Sequence, residues 1–150
     1  MLNSQQVISK SYKELSKAEL YAILSLRIQV FCVEQNCPYQ DIDFQDQKSQ
    51  HVFIQKDQYL CAYARIIPDE NHVFHIGRVV VDKKFRGDKL ATLIMKNCIN
   101  YCQNQHPNSC IEISAQSYLN AFYQALGFKS TGKYYQEDDI PHEQMQLISV

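Results

Sequence analysis

The segment from Val79 to Ala91 constrains this chain more than any other. Val79-Val80-Val81 is an unbroken β-branched run, which favours a strand buried on both faces. Asp82-Lys83-Lys84-Phe85-Arg86-Gly87-Asp88 follows as a short, mostly basic turn, and Lys89-Leu90-Ala91 opens a stretch with helical periodicity. A strand that runs through such a turn into a helix leaves backbone N–H groups free at the helix start. Those groups and the helix dipole favour a bound phosphate. Arg86 adds a charge-assisted donor, and Gly87 lets the backbone approach closely. Taken alone, the segment reads first as a strand–turn–helix with solvated charges, so the rest of the chain decides.

Ser16-Lys17-Ala18-Glu19 fits a capping box, and apolar residues from Leu20 to Phe31 continue at helical spacing, predicting a helix over about residues 17–34. Cys37-Pro38-Tyr39 begins a polar loop carrying Asp41, Asp43 and Asp46, long enough to be a lid or pocket wall. Strands are expected at 51–55, 59–67 and 73–81, with Gly77 a bulge or close-approach site. A helix over 90–102, a strand over 110–115 and a short helix from Ser117 to Leu126 follow, the last stopped by Gly127. Two strands near 128–135 and 145–150 close the chain. No repeat or linker divides residues 1–150, so the expectation is one mixed α/β domain.

Basic and acidic residues number 15 and 16, which disfavours a nucleic-acid partner, since phosphate neutralisation calls for a basic excess. No apolar run approaches the ~20 residues that cross a bilayer, and residues 1–7 hold no export signal. The expectation is a cytoplasmic protein with no membrane partner. Six cysteines then read as free thiols rather than disulfides. Cys98 and Cys102 share the apolar face of a helix with Ile94 and Met95, and no CxxC pair exists, so no metal is expected.

Residues 86–91 resemble the acyl-CoA signature of the GNAT acetyltransferases, Arg/Gln-x-x-Gly-x-Gly/Ala. Arg86 and Ala91 match its ends, and Lys89 stands at the middle glycine. Downstream, the segment from Gln116 through Tyr123 to Gly127-Phe128 resembles that family's Asn-(x)6-Tyr-(x)3-Gly-Phe pattern, with Gln116 replacing Asn. The chain is further similar to the ElaA-like branch over residues 10–147, on Arg27–Gln35, Ala62–Ile66 and Tyr135–His142. The resemblance implies a twisted, mostly antiparallel sheet, splayed between its two central strands, with helices on both faces. It implies acetyl-CoA as co-substrate, contacted by Val79, Val80, Val81, Arg86, Gly87, Asp88, Lys89, Leu90, Ala91, Gln116 and Asn120. The Lys89 side chain would either crowd the pyrophosphate or, the favoured reading, pair its ammonium with a CoA phosphate.

Amine acylation requires a deprotonated amine, a polarised thioester carbonyl and a stabilised leaving thiolate. The resemblance assigns the carbonyl to a backbone N–H near Val79 and the thiolate to Tyr123. Glu34, at the end of the first helix beside the acidic loop, is the first choice of base, followed by His142, because the ordinary imidazole pKa suits proton transfer, and His51. Arg27 interrupts the apolar stripe of its helix and pairs either with a buried carboxylate or with an acidic substrate group. Phe31 forms pocket wall or core. The acceptor is expected to be a small-molecule or peptide amine, with the acidic loop hinting at a cationic one, and the protein a monomer or homodimer. Two alternatives remain: a catalytically silent acyl-CoA-binding sensor, and a metal or redox protein built on the cysteines.

Overall fold

The computed structural model describes residues 5–148. Seven strands form one sheet: β1 (Gln5–Ser11), β2 (Gln50–Lys56), β3 (Tyr59–Pro68), β4 (Val73–Val81), β5 (Cys110–Gln116), β6 (Lys129–Glu137) and β7 (Ile140–Ile148). Their spatial order is β1-β2-β3-β4-β5-β7-β6. All neighbours are antiparallel except β4 and β5. Three α-helices lie among the described residues: α1 (Lys17–Ile28), α2 (Leu90–Gln105) and α3 (Asn120–Ala125).

Alternation along the strands sorts two cores onto the two faces. Phe53 and Tyr63 point one way, where Ile23, Leu26 and Val30 cover them together with Val80. Val52, Ile54, Ala62 and Ala64 point the other way, against Ile94, Met95 and Cys98 of α2. The expected layering, helices on both faces of a mostly antiparallel sheet, is what the chain adopts.

Strand β1 has no counterpart in the expected elements. Its sequence, Gln5 to Ser11, is mostly polar and its side chains are mostly exposed, so period-2 burial leaves little trace. A seven-residue ladder to β2 holds it at the sheet edge. The final hairpin also differs from expectation. Asp138 and Asp139 take positive φ (51° and 62°) and form a tight two-residue turn, so β6 and β7 extend through the segment between the two expected strands. The last two residues of the strand expected over 145–150 lie outside the described residues.

The expected helix over 17–34 begins as predicted, with Ser16 capping Glu19 N–H. After Ile28 the winding loosens to hydrogen bonds from residue i to i−5, including Gln35 N–H to Val30 O and Cys37 N–H to Cys32 O. Such π-helical turns re-aim side chains at the cost of hydrogen-bond geometry.

Two irregularities of β4 make the site. It pairs with β5 at only three positions, Val73–Cys110, Phe74–Ile111 and His75–Glu112, after which the ladder ends and a cleft opens. On its other side Tyr63 faces Val80 while Arg65 faces Gly77, so β4 carries one extra residue. This bulge sets Arg78 at φ 52°.

Candidate active site

The cleft between β4 and β5 has a volume of ≈ 560 Å³. One wall is β4 from Ile76 to Val81, and the other is built by Ile113, Ser114 and Gln116 of β5 with Tyr118, Phe122 and Tyr123 beyond it. Val79 and Val81 are only partly buried because they face this opening, whereas Val80 turns into the core. The sequence expectation of burial on both faces therefore holds for one valine of three.

At one end of the cleft lie Arg86, Gly87, Lys89, Leu90 and Ala91, the turn that feeds α2. Lys89 is the residue before the helix, with φ 58° and ψ 29°, and it gives no side-chain cap. The N–H groups of the first turn of α2 are thus left for solvent or a ligand. Gly87 has φ 97°, and nothing lies within 4 Å of where a Cβ would stand. Of the residues expected near a cofactor, Asp88 and Asn120 do not line the cleft. Asp88 pairs with Lys56 at 3.3 Å, and Asn120 donates to the buried Glu143 at 2.8 Å.

Tyr123 is 9% exposed, with Phe122 and Phe128 edge-on against its ring. Burial pushes its pKa up to about 12, so the phenol is a proton donor at neutral pH. His142 also lines the cleft. Its Nδ1 donates to Ile140 O at 2.7 Å, its Nε2 lies 3.3 Å from Glu137, and its ring stacks on Tyr135.

Glu34, the first choice of base, is engaged elsewhere. Its carboxylate binds Arg86 through both oxygens, at 2.7 and 2.6 Å, and that hydrogen bonding lowers its pKa. A carboxylate so held is a poor proton acceptor.

Arg27 and His51, expected near substrate, lie outside the cleft and are fully buried. His51 Nε2 donates to Asp46 O at 2.9 Å, and its Nδ1 accepts from Tyr63 OH at 2.6 Å. Desolvation lowers its pKa, so it stays neutral. Arg27 resolves to the first of its two readings, a buried ion pair. It belongs to a closed ring of alternating charge: Arg27–Asp41 (3.0 Å), Asp41–Arg78 (2.9 Å), Arg78–Asp43 (3.3 Å), Asp43–Arg65 (2.8 Å), Arg65–Asp46 (3.0 Å) and Asp46–Arg27 (2.7 Å). The acidic loop is thereby fastened to the sheet, and its carboxylates are spent on arginines rather than offered to a cationic ligand.

Arg78 is the one ring member that lines the cleft, and Tyr39, under its guanidinium at 5.6 Å, lines it too. Neither residue stands out in the motifs. The available signal for Arg78 is a charge placed directly after Gly77 inside a mostly apolar strand. Phe31 lines the cleft as pocket wall, carried there by the π-helical turn.

Residues 8–149 match the family model of the acetyltransferase (GNAT) domain. The chain belongs to the GNAT acetyltransferase family. Protein ElaA of Escherichia coli (strain K12) is 42% identical to this GNAT chain over 135 residues, covering 87% of it and 88% of ElaA. The crystal structure of Escherichia coli ElaA matches with a TM-score of 0.90 at 40% identity, covering 95% of this chain and 99% of that one. An acyl-CoA N-acyltransferase from Pseudomonas aeruginosa matches with a TM-score of 0.92 at 35% identity, covering 96% and 99%. The position that holds glycine in the GNAT signature is here Lys89, in the left-handed conformation that glycine adopts without strain.

Among the described residues, no group of three His, Cys, Asp or Glu side chains is arranged to hold a metal, and no helix is long and apolar enough to cross a membrane. Burial raises the pKa of Cys98, and that of Cys102 to about 12, which makes both thiols inert packing groups.

Proposed function

We propose that this chain is a single acetyltransferase domain that moves an acetyl group from acetyl-CoA to a primary amine by direct attack in a ternary complex. The observation that carries this is the β4–β5 splay, which opens onto the uncapped start of α2 at one end and onto Tyr123 along its wall. Acetyl-CoA, the acyl donor, supplies an activated thioester and a chain of phosphates. The residues present fit it. The α2 N–H groups, Arg86 and Lys89 suit phosphate, and Gly87 leaves room beside them. The backbone of β4 past His75, unpaired toward β5, suits the amide-rich pantetheine arm.

Three tasks then fall to this chain. A backbone N–H of the bulged β4, near Val79, polarises the thioester carbonyl. Tyr123, protonated at neutral pH, donates to the departing sulfur. His142 takes the proton of the amine. Donation from its Nδ1 to Ile140 O orients the ring, and Nε2 takes the proton once the amine displaces Glu137, which lies 3.3 Å from Nε2 and stabilises the imidazolium that forms. Glu34 is tied to Arg86, which leaves the base role to His142.

The test is release of free CoA thiol across a panel of amines, with Tyr123→Phe as control. An enzyme loses turnover in that variant and keeps its affinity for acetyl-CoA. A silent acyl-CoA-binding module shows affinity and no turnover in either protein.

A further inference from the structure

We infer that the amine acceptor also carries a carboxylate, and that Arg78 binds it. This rests on the acyltransferase reading of the cleft and names the chemical class of its second substrate. The charged side chains that line the cleft, among the described residues, are Arg78, Arg86 and Lys89; no Asp or Glu lines it. A polycationic acceptor would meet three cationic side chains and no carboxylate among the lining residues. The carboxylates that would have drawn one, Asp41, Asp43 and Asp46, are each shared between two arginines.

Arg86 and Lys89 stand at the start of α2, where the phosphates of the acyl donor belong. Arg78 stands apart from them on the β4 bulge, upstream of Val81. One edge of its guanidinium is committed: Nε donates to Asp41 Oδ1 at 2.9 Å, and Nη2 donates to Asp41 O at 3.1 Å and Asp43 Oδ2 at 3.3 Å. Among the described residues no hydrogen bond engages Nη1, and Arg78 is a lining residue of the cleft. The ring of charges and the Tyr39 face hold this group in one orientation before any ligand arrives. A pre-aimed guanidinium binds a carboxylate with little reorganisation. His142 lines the same cleft as the proposed proton acceptor, so a molecule that bears both an amine and a carboxylate, an amino-acid-type substrate, engages both residues.

The experiment compares L-amino acids with their carboxamides and their decarboxylated amines, in acetyl-CoA turnover by the wild-type protein. The expected result is that the accepted amino acids have KM values about 10- to 100-fold below those of their matched neutral or amine-only analogues, the scale of a charged hydrogen bond. Arg78→Lys should erase most of that preference. Because this variant also touches the ring, the wild-type protein saturated with CoA is titrated calorimetrically with an N-acetyl amino acid and with the matching N-acetyl amine. Only the carboxylate should bind. Equal or better use of the analogues, or no binding of any carboxylate product, overturns the inference. Failure to bind acetyl-CoA instead overturns the acyltransferase reading itself.

Discussion

Glu34 grips Arg86 with both carboxylate oxygens across 52 residues of sequence. The pair joins the end of the π-helical turn to the turn that feeds α2, and Arg86 Nε also donates to Val81 O at 3.0 Å. A phosphate that recruits Arg86 must therefore compete with Glu34. Glu34→Gln should tighten acetyl-CoA binding by about two- to fivefold, the scale of an exposed ion pair, and leave kcat within a few-fold. Calorimetry and steady-state rates check both. If Glu34 were the base, the same variant would abolish turnover.

Tyr123→Phe should lower kcat by about 100- to 1,000-fold, the lower part of the range for a positioned proton donor. Its Kd for acetyl-CoA should not move, because the ring keeps its edge contacts with Phe122 and Phe128. Single-turnover kinetics separate the chemical step from binding. His142→Gln should lower kcat by a similar or larger factor, again with the acetyl-CoA affinity intact.

The ring of charges predicts a strong stability effect far from the chemistry. Arg27→Met leaves Asp41 and Asp46 short of a buried partner and should cost about 3–5 kcal/mol, lowering Tm by roughly 10 °C for a chain of this size. Burial pushes the Asp43 pKa up, but hydrogen bonds from Arg65 and Gln45 and the charges of Arg65 and Arg78 outweigh it and hold the pKa at about 2, below its ordinary 3.8. A depressed carboxylate stabilises the fold fully above its unfolded pKa, and that contribution fades as pH falls toward the folded one. Stability should therefore drop between about pH 4 and pH 2, and Asp43→Asn should flatten the drop while lowering stability at pH 7. Urea titrations across this window measure both.

What the sequence made legible was local. The Ser16–Glu19 capping box and the Gly127 stop with φ 102° were readable from a few neighbouring residues, because the backbone itself demands those types. The strand–turn–helix around Arg86 was readable in the same way. Strand β1 was not, since its polar residues take their conformation from the β2 ladder rather than from their own pattern. The site was legible where motif residues touch the cleft and opaque where function depends on a distant partner. Arg27 signals a buried charge, yet nothing local says that Asp41 and Asp46, 14 and 19 residues away, neutralise it. Glu34 looked available as a base only because Arg86 lies so far along the chain. Arg78 owes its place in the cleft to a bulge whose only trace is Gly77.

Lys89→Gly tests the departure from the family signature. Lys89 holds a left-handed backbone that costs a side chain about 1 kcal/mol, so glycine should leave stability unchanged or slightly raised. Removing the ammonium should weaken acetyl-CoA binding a few-fold at low ionic strength, and salt should shrink the difference. Titrations at two salt concentrations check this.

The central claim is that the splayed β4–β5 cleft binds an acyl-CoA, and calorimetric titration of the reduced protein with acetyl-CoA tests it most directly, with dephospho-CoA and ATP alongside. The account predicts saturable one-to-one binding that prefers acetyl-CoA and weakens when Arg86 is replaced by Ala. No binding at millimolar acetyl-CoA would contradict it and mean that Lys89 and the Glu34–Arg86 pair close the phosphate site.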